Sequence, residues 1–169
     1  LGTVNKDWRV HIGAAAGSST ATGRAYAGRM PTIFTRIIDG ELPGTFLWRD
    51  EHCVVFLSIN PMAHGHALVV PRAEVDHWVD LDDDLCDHLF RVARHVGRAQ
   101  EAAFGCQKVG VIIAGYEVPH VHIHVVPTND IGELSFAAAA PSVDREDLDR
   151  AAVAIRDELS RRGHGEVAS

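Results

Sequence analysis

Cysteine is scarce in this sequence. The three present, Cys53, Cys86 and Cys106, are odd in number and show no C-x-x-C spacing. That excludes a disulfide framework and points to a reducing, cytoplasmic setting. Long apolar runs are also missing. None approaches the roughly 20 residues needed to cross a bilayer, and mean hydropathy is −0.02, so no membrane partner is expected. Positive charge is in deficit, with 16 Lys and Arg against 23 Asp and Glu and a net charge of −7. Nucleic-acid binding runs on basic residues that neutralise phosphates, so no nucleic-acid partner is expected, although a small anion can still bind where a pocket supplies donors. Internal repeats are absent. What remains is a 169-residue chain, 46% apolar, with enough material for one core, and 11 histidines whose placement matters more than their number.

Residues 1–29 differ from the rest. They are rich in Gly, Ala, Ser and Thr and carry Lys6, Arg9, Arg24 and Arg29 against the single acid Asp7. Removing that +3 leaves −10 for residues 30–169. No apolar periodicity or signal-peptide core is present there. Residues 1–29 are therefore expected to be an upstream extension, from a start placed too early or from an expression vector, and mostly disordered. Met30 follows directly, and residues 30–169 form the expected domain.

From Pro31 the chain reads as α+β. Thr45 to Arg49 and His52 to Ser58 are β-branched and aromatic runs around Asp50-Glu51, a hairpin pattern. Ala67 to Val70 is a buried strand ended by Pro71. Leu85, Leu89, Val92, Val96, Ala99 and Ala103 share one face of a long helix. Asp80 and Asp82 to Asp84 crowd its start and Gly105 ends it. Val109 to Ala114 and Val118 to Pro127 read as strands. Phe136 to Pro141 is an alanine-rich apolar loop, and a last helix carries Leu148, Ala151, Ala152, Ile155 and Leu159 behind Asp144 and Asp147.

The segment Pro119-His120-Val121-His122-Ile123-His124-Val125-Val126-Pro127 carries the chemistry. Alternation places three imidazoles on one strand face and Val121, Ile123 and Val125 on the other. Alternate side chains lie about 6 to 7 Å apart, and imidazole titrates near neutral pH. Such a row suits a site that holds an anion and moves protons. Three readings stay open: a solvated polar face, improbable for three histidines at period two; a metal site, since histidine is a common zinc ligand, although no Cys or Glu stands at a familiar ligand spacing; and nucleophilic catalysis, in which the middle imidazole attacks phosphorus. His64-Gly65-His66 precedes the strand from Ala67, with His64 read as a solvated turn residue. His52, His77, His88, His95, His11 and His164 have no partner spacing and read as surface or loop residues. Trp48 and Trp78 read as core-packing residues.

His120-Val121-His122-Ile123-His124-Val125-Val126 resembles the His-φ-His-φ-His-φ-φ signature of the histidine-triad (HIT) family, in its Hint-like branch. Ile33-Phe34, Ile37 to Pro43, Phe56 to Pro61 and Gly65 to Pro71 keep the order of the family's upstream blocks, so the resemblance spans about residues 32 to 127. It implies a HIT-like fold, an antiparallel sheet with one long helix and a C-terminal helix, commonly a homodimer in which two sheets join. It implies hydrolysis of phosphoramidate or phosphoester bonds at the α-phosphate of a purine nucleoside monophosphate conjugate, without metal or cofactor. His122 would form a nucleotidyl-histidine, His124 would bind phosphate oxygens, and His120 would position the phosphate or the leaving group. His66 would be the fourth histidine near the nucleophile, and Phe34, Phe56 and Ile59 would line the nucleoside pocket.

The departures from the family pattern carry expectations too. Thr32 and Thr35 replace two cysteines that help bind a structural zinc in some bacterial members, so no such zinc is expected. Ser58 replaces the acid that contacts the ribose, and a hydroxyl cannot accept from both ribose hydroxyls as a carboxylate can. Gly115-Tyr116-Glu117 stands where the family has a phosphate-contacting Gly-Gln-Ser. Gly115 can offer its amide, whereas Glu117 would repel a phosphate unless it turns away or carries a proton. A runner-up reading is a nucleotide-binding module with little turnover.

Overall fold

β-Branched and aromatic runs form a five-stranded sheet in the computed structural model, which describes residues 30–169. The extension expected at residues 1–29 lies outside the described residues. The strands are β1 (Phe46–Arg49), β2 (Cys53–Leu57), β3 (Ala67–Pro71), β4 (Lys108–Ile112) and β5 (Ile123–Thr128). Their order is β1-β2-β3-β5-β4, with every neighbouring pair antiparallel. The helices are α1 (Ile33–Ile38), α2 (Asp83–Phe104) and α3 (Arg145–Arg161).

The β1–β2 turn forms because Asp50 can substitute for backbone partners: its Oδ1 accepts the amides of His52 (2.8 Å) and Cys53 (2.7 Å). α2 begins where the acids crowd, with the Asp82 side chain accepting from the Asp84 amide at 3.0 Å. It ends at Gly105 in the left-handed region, φ 63°.

The sheet separates two environments. Leu47, Val55, Leu57, Val69, Ile123 and Val125 pack under α2 and α3, against Leu89, Val92, Val96, Leu148, Ile155 and Leu159. The opposite face gathers Phe34, Phe46, Val54, Phe56, Leu68 and Val70. His124 pairs in register with Leu68, so alternation along β5 puts Ile123 and Val125 in the main core and His124 on the opposite face. The chain's last residues run along β1: the Arg49 amide donates to Glu166 O (2.8 Å) and the Ala168 amide to Leu47 O (3.1 Å).

Three expectations need correction. The histidine strand is shorter than the alternation suggests, because β5 begins at Ile123 and leaves His120 and His122 outside the ladder. Val121 donates its amide to Val75 O in the loop after β3 (2.7 Å), and Pro119 has no amide to give. Trp78 is 42% exposed, whereas Trp48 is buried as expected. His88 and His95 are half-buried rather than surface residues: His88 bonds Asp50 at 2.8 Å, and His95 stacks on Trp48 with centroids 6.2 Å apart.

Candidate active site

His66, His122 and His124 meet on the sheet face opposite α2, at a cavity of about 630 Å³. The size suits a small ligand. One lobe is apolar, lined by Phe34, Ile37, Phe56 and Leu68. The Phe34 ring stands edge-on to His122, with centroids 4.9 Å apart, and packs on Phe56 at 5.7 Å. Ser58 and Ile59 line the same cavity, as does Glu117. Ser58 Oγ accepts the Asn60 amide at 3.2 Å, which leaves its proton free to donate. The far wall is the Phe136–Pro141 segment, whose Phe136 ring lies 5.0 Å from the His124 ring. Asn60 Nδ2 donates to Pro141 O (2.6 Å) and the Ala140 amide to Pro61 O (2.9 Å), pinning that wall to the turn after β2.

Fixed partners decide where each imidazole carries its proton. The Met62 amide donates to His66 Nδ1 at 3.1 Å. His66 therefore carries its proton on Nε2 and gives it to His124 Nδ1 at 2.9 Å. His124 is then left with a proton on Nε2. His122 Nδ1 lies 2.8 Å from the His120 carbonyl. A carbonyl only accepts, so Nδ1 is the protonated nitrogen and Nε2 keeps an unshared pair.

Electrostatics agree with neutral rings. Burial, then the His122 ring, holds His66 down to about 4. Burial, then His122 and His66, holds His124 down to about 3. Burial also lowers His122, opposed by its bond to the His120 carbonyl and by the Glu117 carboxylate. The three imidazoles bond to one another and to backbone rather than converge on a common point, which does not favour the metal reading of the row. Among the described residues, the cluster suited to a metal is Asp50, Cys53 and His88, none of which lines the cavity.

A family model described as "HIT domain" matches residues 39–131. This chain belongs to the histidine-triad family. An uncharacterised HIT-like protein of Methanocaldococcus jannaschii is 34% identical over 121 residues, covering 69% of this chain and 94% of that one. An adenosine 5'-monophosphoramidase of Saccharomyces cerevisiae is 31% identical over 99 residues, covering 58% of this chain and 63% of that one. A zinc-bound histidine-triad family protein of Mycobacterium smegmatis shares the fold with a TM-score of 0.66 at 24% identity, covering 77% of this chain and 94% of that one. A histidine-triad nucleotide-binding protein of Sulfolobus tokodaii gives 0.67 at 24%, covering 76% and 91%. The family includes hydrolases such as that phosphoramidase, and the α+β fold is that of these solved relatives.

Within this histidine-triad chain, two expected site residues sit elsewhere. His120 is fully buried and lies behind His122. Its Nε2 is 2.8 Å from Pro71 O and its Nδ1 is 2.8 Å from Thr32 Oγ1, so neither nitrogen remains to touch a phosphate or a leaving group. Gly115 turns with φ 77° and does not line the cavity. Thr32 and Thr35 do not fit a zinc. Zinc prefers thiolate, imidazole or carboxylate ligands, and these hydroxyls are taken by His120 and Glu74.

Two supporting residues escape the sequence patterns. Glu74 bonds the α1 start from the loop after β3. Gln100, fully buried in α2, donates to Gly65 O (2.8 Å) and Val125 O (3.0 Å), tying the turn before His66 to β5. Its sequence signal is a polar side chain four residues beyond Val96 on the apolar stripe.

The neutral pair sets a stability prediction. Histidine ordinarily titrates near ~6.5, so below that pH the unfolded chain takes up protons that folded His66 and His124 refuse. Their stabilisation is complete above about 6.5 and is lost as pH falls toward about 4 and about 3. For His66 this is worth up to roughly 3 kcal/mol. Melting temperature should drop from pH 7 to pH 5, and His66→Gln should flatten the slope. A wild-type melting point unchanged across that interval contradicts the assignment.

Proposed function

We propose that residues 30–169 act as a metal-independent hydrolase of phosphoramidate or phosphoester bonds at the α-phosphate of a purine nucleoside monophosphate conjugate. The observation that carries this reading is the His122 Nδ1 bond to the His120 carbonyl, which turns the Nε2 lone pair of a neutral imidazole toward the cavity. That pair attacks phosphorus, a P–N bond to His122 forms, and the bond to the leaving group breaks. The leaving nitrogen or oxygen departs with a proton from the open side of the cavity. Water then attacks the nucleotidyl-histidine, frees the monophosphate and restores His122.

The His124 Nε2–H donates to a phosphoryl oxygen where negative charge builds, and His66 fixes that proton on the cavity side. Phe34, Phe56 and Ile59 hold the base, and the Ser58 hydroxyl donates to the ribose. Gly115 keeps only the family's expectation of an amide near phosphate. The protein is proposed to work in the cytoplasm as a homodimer, and light scattering should give twice 18.4 kDa; a monomer counts against it.

Adenosine phosphoramidate should be hydrolysed at the same rate with and without chelator. A turnover abolished by chelator and restored by zinc sinks the metal-independent reading. One second reading has its own support: Ser58 and Glu117 on the cavity wall weaken ribose and phosphate contacts, as in a binding module. It predicts AMP binding with turnover no faster than background.

A further inference from the structure

α1 holds the Phe34 ring against His122, yet it spans six residues. So short a helix does not pay its own nucleation cost in water, so contacts from elsewhere must fix it. Thr32 supplies one as N-cap, its Oγ1 accepting the Thr35 amide at 3.2 Å. Glu74 supplies the rest from a position 42 residues away. Its Oε1 accepts both the Thr32 amide (2.8 Å) and the Thr35 hydroxyl. That leaves the Thr32 hydroxyl proton for His120 Nδ1, 2.8 Å away.

The proton directions are fixed by the partners. Pro71 O only accepts, so His120 Nε2 carries hydrogen. Burial lowers the His120 pKa against the raising effects of the Pro71 carbonyl and the Glu74 carboxylate. The ring is neutral and its Nδ1 accepts from Thr32. Burial pushes the Glu74 carboxyl up, but its bonds to Thr35 and Thr32 and the nearby His120 ring hold it below the ordinary carboxylate range.

We propose that Thr32, Thr35 and Glu74 form a metal-free lock that occupies His120 Nδ1 while the Pro71 carbonyl holds its Nε2–H, and that through the His120 carbonyl the lock aims His122 into the cavity. These are positioning residues, and the inference rests on His122 being the nucleophile. The lock cross-links the start of α1 to the loop after β3 with one carboxylate, two hydroxyls and an amide. Because His122 Nδ1 is tied to the backbone of residue 120, a shift of that residue when its ring loses its anchor displaces the attacking nitrogen, and a misplacement of about 1 Å costs on the order of 100-fold in rate.

The test pairs ring-nitrogen NMR of His120 with adenosine phosphoramidate kinetics, in wild type, Thr32→Val, Thr32→Ser, Glu74→Ala and Glu74→Gln. Wild type and Thr32→Ser should show a single Nε2–H form and equal rates. Thr32→Val and Glu74→Ala should move the His120 Nδ1 resonance off its hydrogen-bonded value and drop kcat by about 10- to 100-fold, with KM moved less than about threefold. A purely structural role would lower the melting temperature and leave the Nδ1 resonance and kcat of the folded fraction untouched, and that result overturns the lock. If Glu74→Ala does not fold, Thr32→Val and Glu74→Gln carry the decision. If wild type shows no turnover, the proposed function fails while the NMR arm still decides the lock.

Discussion

His122→Ala should lose turnover of adenosine phosphoramidate by about 10⁴-fold or more, the scale expected when a covalent nucleophile is removed. No neighbour can stand in. His66 has both ring nitrogens engaged, to the Met62 amide and to His124. His124 presents a proton rather than a lone pair. His120 is buried with both nitrogens bonded. The variant should still bind AMP, because the Phe34 and Phe56 side of the cavity is untouched. Acid-quenched wild type should carry nucleotide on protein, and the variant none. Retention of more than about a tenth of the rate would remove His122 from the covalent role, since general effects of its neighbours do not restore a missing bond-forming atom.

Gly65→Ala should cost about 3 kcal/mol and most of the activity. Gly65 has φ 82°, and a Cβ there would stand 2.3 Å from Phe104 Cε2. The left-handed backbone costs a side chain roughly 1–2 kcal/mol, and overpacking adds about 1–3. Against a total stability of about 5–15 kcal/mol that is a large fraction. The consequence extends to chemistry, because Gly65 precedes His66 and its carbonyl takes the Gln100 amide. A shift there moves the His66–His124 hydrogen bond. Urea unfolding measures the first effect and kcat the second. A substitution neutral in both would show that Phe104 swings aside freely.

Much of this was legible because the deciding patterns are local. The stripe from Leu89 to Ala99 gave α2 its buried face, and the alternation Ile123-His124-Val125 put His124 opposite the main core. The period failed two residues earlier because a distant group, the Val75 carbonyl, captures the Val121 amide, and pattern reading has no access to such a partner. Glu74 was invisible for the same reason: it meets Thr32 across 42 residues. The Phe136–Pro141 segment has no periodicity to read, and it becomes a cavity wall through Asn60 and the Pro61 carbonyl. Gln100 was readable as an interruption of the apolar stripe, and its purpose, two carbonyls of the turn and β5, was not.

The two borders of the sheet are unequal. At β1 residues 166–168 lie alongside, with bonds from Arg49 to Glu166 and from Ala168 to Leu47. At β4 the outer border has no strand beside it among the described residues, and Val111 there is 49% exposed. Exposed backbone at a border invites another strand. A particle with one open border can pair once and then stops, whereas one with two could add copies without end. Residues 166–168 thereby close β1 to strand pairing, and removing their bonds to β1 would leave both borders open.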